Sequence, residues 1–143
     1  MEKNNVIKYA PTLSAAIAYL LLLVVIMLLF FGRKTTSLPP NLILDLWPDF
    51  YFHVSNLSIS YLMLSGIGFI WILMGIPARF LIIYSVLLIC FSFIYELWIP
   101  VLNTPDIIDA YYGVFGTVLG LSFLLFIKRF GLVPLKKSSN HKI

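Results

Sequence analysis

The chain has 143 residues, of which 61% are hydrophobic, 16% aromatic and only 11% charged, with a mean hydropathy of +0.99. A soluble domain is about half apolar and about a quarter charged, so this composition excludes that class, along with disordered, collagen-like and disulfide-scaffold chains. The net charge of +4 is modest and its bases gather at the chain ends and turns, which fits membrane topology and speaks against nucleic-acid binding.

Residues 12–31 form the first apolar run, opened by Pro11 and closed by Gly32-Arg33-Lys34. A helix crosses a bilayer core with about 20 residues. A cleavable signal peptide has a shorter apolar centre and small residues at its cleavage site, so this run reads as an uncleaved anchor. Residues 41–52 are apolar but too short to span, and they contain Asp45, Pro48 and Asp49. They predict a short interfacial segment between helices one and two. The second run covers about 55–75 and ends in the turn Gly75-Ile76-Pro77-Ala78-Arg79; the third follows over 80–99. After Pro100 and a polar loop, the fourth run covers 110–127 and stops at Lys128-Arg129. The remaining tail, 136–143, reads as flexible, basic and able to touch anionic lipid. The lone Cys90 sits in an apolar run and has no intrachain disulfide partner.

Inside hydrocarbon an unpaired backbone group costs several kcal/mol, and the alternating strands of a barrel are missing, so the runs are helices. The expected fold is an all-α membrane domain over 1–143 with four transmembrane helices. If the spans alternate, Lys3, Lys8, Arg79, Lys128, Arg129, Lys136, Lys137 and Lys142 share one side, and Arg33 and Lys34 take the other. The Lys/Arg bias makes the first side cytoplasmic and places both termini inside. Asp45, Asp49, Glu96, Asp106 and Asp109 then sort to the outer face, with only Glu2 inside.

Trp47-Pro48-Asp49 has the form of a helix start, with Pro at the first helical position. From there Asp49, His53, Asn56 and Ser60 recur at spacings of four, three and four, one stripe descending into the membrane. Read blandly, Asp49 complements a helix dipole and His53 snorkels to the interface. Glu96 lies beside Tyr95 and Trp98, aromatics that fit an interfacial belt, so a headgroup-level position is an equal alternative to a site. Asp106 and Asp109 open the fourth helix, where acids are favoured regardless of function. Asp109, Gly113, Gly116 and Gly120 share a face with small residues at helical spacing, and Ser65 and Gly68 belong to a matching face on the second helix. Helix packing within the chain is the stronger reading of these faces, and an oligomer through the glycines the weaker one.

The order Asp49-Phe-Tyr-Phe-His53, then Tyr95-Glu96, then Pro105-Asp106-Ile-Ile-Asp109 with Gly116-Thr-Val-Leu-Gly120 resembles the VanZ-like family of bacterial membrane proteins. The likeness covers roughly 49–120. It implies a four-span protein of the bacterial cytoplasmic membrane, in a family linked to teicoplanin-type glycopeptide resistance. By this likeness Asp49, His53, Glu96, Asp106 and Asp109 are the polar signature positions. The chain departs from the family's pattern where a Gln usually follows the Glu (here Leu97-Trp98-Ile99-Pro100) and where an Asn usually follows the last Asp (here Gly113).

Three kinds of function stay open. The polar groups, with Asn56, Ser60 and Tyr95 as binding residues, suit recognition of a lipid-linked or cell-wall component at the outer face. Asp49, His53, Glu96, Asp106 and Asp109 also suit acid–base chemistry on such a substrate. Thirdly, the acids pair with His53 to hold helix ends together, as in a structural subunit. The same set also suits a metal, zinc through His and carboxylates or calcium through carboxylates. Yet no tight ligand motif such as His-Glu-x-x-His is present, nor a Gly-x-Ser-x-Gly elbow or phosphate-binding glycine loop, so neither a metal nor a cofactor is expected. Only Arg33 and Lys34 stand on the outer side to clamp a phosphate.

Overall fold

The computed structural model describes residues 6–32, 50–98 and 106–135. Four long helices account for most of them: α1 (Leu13–Gly32), α2 (Phe50–Leu73), α3 (Ala78–Trp98) and α4 (Ile107–Phe130). All four are long and apolar enough to cross a membrane. The 24 residues of α2 and of α4 give each a length of about 36 Å at 1.5 Å per residue, beyond the roughly 30 Å of a hydrocarbon core. This is the all-α, four-span architecture that the apolar runs predict. The interfacial segment expected over 41–52 lies mostly outside the described residues, as do Asp49 and the tail 136–143.

The chain adds one element that the apolar runs do not announce. Strand β1 (Tyr9–Pro11) pairs antiparallel with β2 (Leu132–Pro134), with Ala10 opposite Val133. The Lys8 amide donates to the Leu73 carbonyl at the end of α2, and the Thr12 amide donates to Gly131 just past α4. The ribbon thus ties the start of α1, the end of α2 and the end of α4 together at one end of the bundle. Proline in each strand removes a ladder donor and limits the ribbon to three residues a side, too few to stand out in a sequence.

The α2–α3 turn lies at this same end and shows why Gly75 is there. The Ile76 amide reaches back to the Trp71 carbonyl and the Gly75 amide to Ile72, the paired bonds of a Schellman motif. That motif needs a left-handed residue, and Gly75 supplies it with φ +77°. The Lys128 ammonium donates to the Ile76 carbonyl, which joins the end of α4 to the turn. Lys8, Arg79, Lys128 and Arg129, the described lysines and arginines, therefore all stand at the ribbon end.

Helix α2 is the centre of the bundle and packs most extensively on α4. Gly116 permits that approach: a Cβ built on it would come 2.1 Å from the Leu57 carbonyl oxygen, so only glycine lets the two backbones meet. Gly120 faces the Leu64 side chain at 3.3 Å, and Gly68 faces the tips of Leu124 and Leu81. Ser65 is buried alongside, its hydroxyl donating to Leu62 O. The glycine face is thus occupied by α2 of the same chain, which takes away the oligomer contact that the sequence left open for it. Helix α1 is peripheral. It stacks Tyr19 on Phe69 with ring centroids 4.0 Å apart and inserts Ile26 beside Leu57 and Tyr61. Elsewhere α1 exposes Leu20, Leu21, Val24 and Leu28, an apolar surface of the kind a bilayer solvates.

Candidate functional site

The polar residues gather at the end of the bundle opposite the ribbon. His53 and Asn56 stand one turn apart on α2, Glu96 stands on the last turn of α3, and Asp106 and Asp109 open α4. The fold brings these together from stretches up to 56 residues apart in the chain. His53 Nδ1 lies 2.8 Å from Asp109 Oδ1, a hydrogen bond in which the ring N–H donates to the carboxylate. The same nitrogen is 3.7 Å from Asp106 Oδ2. Tyr112, one turn past Asp109, lies tilted against the imidazole with centroids 5.3 Å apart.

Asp106 has two tasks. It is the N-cap of α4, extended in backbone, and its Oδ1 accepts from the Ile108 amide at 2.9 Å. Its other oxygen turns toward His53. The capping expected of Asp106 is therefore present together with a contact to the cluster. Asp109 sits in the first turn, where a carboxylate also complements the positive helix end.

Glu96 is the most enclosed of these groups. Only 3% of it is exposed, although its neighbours Tyr95 and Trp98 are 42% and 81% exposed. Successive residues of a helix are about 100° apart, so the aromatics face outward while Glu96 turns into the bundle. Glu96 therefore does not share the outward exposure of the flanking aromatics. Its Oε1 accepts from the Asn56 amide at 3.0 Å, which links α3 to α2. Ser60, a turn further down α2, is buried beside Gly113, where an added Cβ would stand 3.2 Å from the Ser60 hydroxyl and 2.8 Å from that of Ser92. Gly113 makes room here for two serine hydroxyls. Ser92 has no counterpart in the sequence-based site, because nothing in its spacing marks it; it lies four residues before Glu96 and one turn deeper.

A groove of about 460 Å³ opens between these helices. Asn56, Glu96 and Asp109 form its polar end, with Tyr95 at the rim. Ile59, Met63, Phe91 and Ile94 form its apolar continuation, and each is largely exposed. From Asn56 to Met63 the groove descends seven residues of α2, about 10 Å along the helix axis. The walls change from hydrogen-bonding to hydrocarbon over that distance.

Electrostatically this end is acidic. Asp106 and Asp109 converge on one imidazole and Glu96 is bonded to Asn56 on the next turn of α2, while the described lysines and arginines all stand at the far end of the bundle. Of the sequence-predicted residues, His53, Asn56, Glu96, Asp106 and Asp109 come together; Ser60 and Tyr95 flank them. Asp49 lies outside the described residues. Comparison with models of protein families, with curated proteins and with solved structures gives no match to this chain.

Proposed function

We propose that this chain binds an amphiphilic component of the cell envelope, with the polar head at His53, Asn56, Glu96 and Asp109 and the apolar part along Ile59, Met63 and Phe91. The observation that carries this reading is the division of the groove, polar at the bundle end and open, apolar walls toward the middle. A ligand moving in the bilayer reaches such a groove sideways without leaving the lipid. Its volume lies within the range of about 300–1,000 Å³ usual for small-molecule sites.

The proposed setting is a bacterial cytoplasmic membrane, with both termini and the ribbon in the cytoplasm and the polar cluster at the outer face. The excess of Lys and Arg at the ribbon end supports that orientation. The resemblance to VanZ-like proteins supports the envelope as the source of the ligand and tolerance of teicoplanin-type glycopeptides as the phenotype to read. A second reading, acid–base chemistry on the bound head, draws support from the His53–Asp109 bond. A carboxylate oriented on an imidazole is the arrangement that fixes a general base in its working tautomer.

The test is the lipid that accompanies the protein. Wild type, His53→Ala and Asp109→Asn are extracted from bacterial membranes in mild detergent, and the copurifying lipids are compared by mass spectrometry against the total lipid extract. A charge-assisted hydrogen bond contributes about 1.5–3 kcal/mol, which is roughly a ten- to hundredfold change in occupancy. Wild type is expected to be enriched in one amphiphile class, and both variants are expected to lose that enrichment at unchanged abundance. Identical lipid complements in all three would refute binding at the cluster. Loss of protein in both variants would make the polar contacts a brace between helices instead.

A further inference from the structure

We infer that His53, Asp106 and Asp109 form a binding site for one divalent transition-metal ion of the zinc type, beside the polar end of the groove that Asp109 also lines. Three potential ligand atoms, one from each residue, lie within 4.8 Å of one another. The two distances from His53 Nδ1, 2.8 Å to Asp109 Oδ1 and 3.7 Å to Asp106 Oδ2, bracket the edge of a tetrahedral zinc site. With metal–ligand bonds of about 2.0–2.1 Å that edge is about 3.3 Å, so each of these two His53–carboxylate edges needs a change of about half an ångström.

The site is built from both sides. Asp106 is held by the bond from the Ile108 amide to its Oδ1, which leaves Oδ2 directed at His53. His53 is fixed on α2 against the Tyr112 ring. Metal binding at Nδ1 moves the ring proton to Nε2, so the imidazole stays neutral while the two carboxylates supply two negative charges to the cation. A mixed imidazole–carboxylate set of three protein ligands favours zinc over calcium or magnesium, and three ligands leave a fourth position open, as in zinc sites that act on a ligand.

The charge distribution argues in the same direction. Two carboxylates of low exposure, Asp109 and Glu96, stand near Asp106 at the end of the bundle remote from the described lysines and arginines. Carboxylates of low exposure favour a positive charge beside them, and a metal ion at His53 Nδ1 would place one against both Asp106 and Asp109. The sequence has no compact metal motif because its ligands are split between α2 and the start of α4, 53 to 56 residues apart. The metal site shares His53 and Asp109 with the proposed head-binding end, and zinc binding is read in the absence of added lipid so that the two readings fail separately.

The experiment is a zinc titration of the full chain in detergent, after treatment with a chelator, in a Cys90→Ser background so that the thiol does not compete. Calorimetry and metal analysis after gel filtration are expected to give one Zn²⁺ per chain, unaffected by an excess of Mg²⁺ or Ca²⁺. His53→Ala is expected to weaken binding at least tenfold. Asp106→Asn retains an N-cap side chain and is expected to do the same, which keeps the test valid if His53→Ala fails to fold. Absence of stoichiometric zinc in the parent, or equal affinity in Asp106→Asn, overturns the site; the latter outcome would assign the ion to His141 or the detergent-exposed surface. Lipid enrichment that persists without zinc would leave the amphiphile reading standing while removing the metal.

Discussion

Gly116→Ala is expected to unseat α4 from α2. The added methyl would stand 2.1 Å from the Leu57 carbonyl oxygen and 2.8 Å from its carbonyl carbon, both backbone atoms that no rotamer change can move. The helices must separate along their main contact, which reaches from the site to the ribbon end. Overpacking a well-filled core costs about 1–3 kcal/mol, and a backbone-to-backbone clash falls at the upper end of that range or above. Gly66→Ala is the control, because a Cβ there meets nothing within 4 Å. Replacing a mid-helix glycine by alanine in open space is expected to be neutral or to stabilise by about 0.5–1 kcal/mol. Thermal unfolding in detergent separates the two: a clearly lowered Tm for Gly116→Ala and an unchanged or raised one for Gly66→Ala. Equal melting temperatures would mean that α2 and α4 do not meet as described.

The second large effect is expected at Asn56. In Asn56→Leu the Glu96 carboxylate, 3% exposed, loses the amide that donates to it at 3.0 Å. Removing a donor from an enclosed charged group costs about 1–3 kcal/mol or more, whereas replacing both partners by apolar groups of similar shape is often close to neutral. The double variant Asn56→Leu/Glu96→Leu is therefore expected to be more stable than Asn56→Leu alone. This non-additivity, measured as a double-mutant cycle in Tm or denaturant midpoint, reports the contact directly. Strict additivity would place the two side chains apart.

These two sites also show how far the sequence could be read. Length and hydropathy were sufficient for four helices and their order, because a bilayer leaves the backbone no alternative to helix. The small-residue face of α4 was visible in its spacing, but its ranking was not. Gly116 meets a backbone carbonyl oxygen and Gly120 only the side chains of Leu64 and Tyr61, a difference set by the rotation of α2 against α4 and not by composition. For Glu96, the flanking aromatics allowed a place among headgroups, and only the packing of α3 determines that it turns inward. The β1–β2 ribbon is not legible in the sequence because three-residue strands that each contain proline carry no strand signal. The closeness of His53, Asp106 and Asp109 depends on how α2 and the first turn of α4 meet, which positions 53 to 56 residues apart in the chain do not announce.

In the proposed orientation the polar cluster faces away from the cytoplasm and the ribbon faces toward it. Single cysteines at Ile107, beside the cluster, and at Leu135, just past the ribbon, are both on partly exposed positions and outside the site. In a Cys90→Ser background, intact bacterial cells are treated with a maleimide that cannot cross a bilayer. Labelling of Ile107→Cys in whole cells, with Leu135→Cys reacting only after lysis, is the predicted result. The reverse pattern would put the cluster in the cytoplasm and contradict a ligand drawn from the outer face.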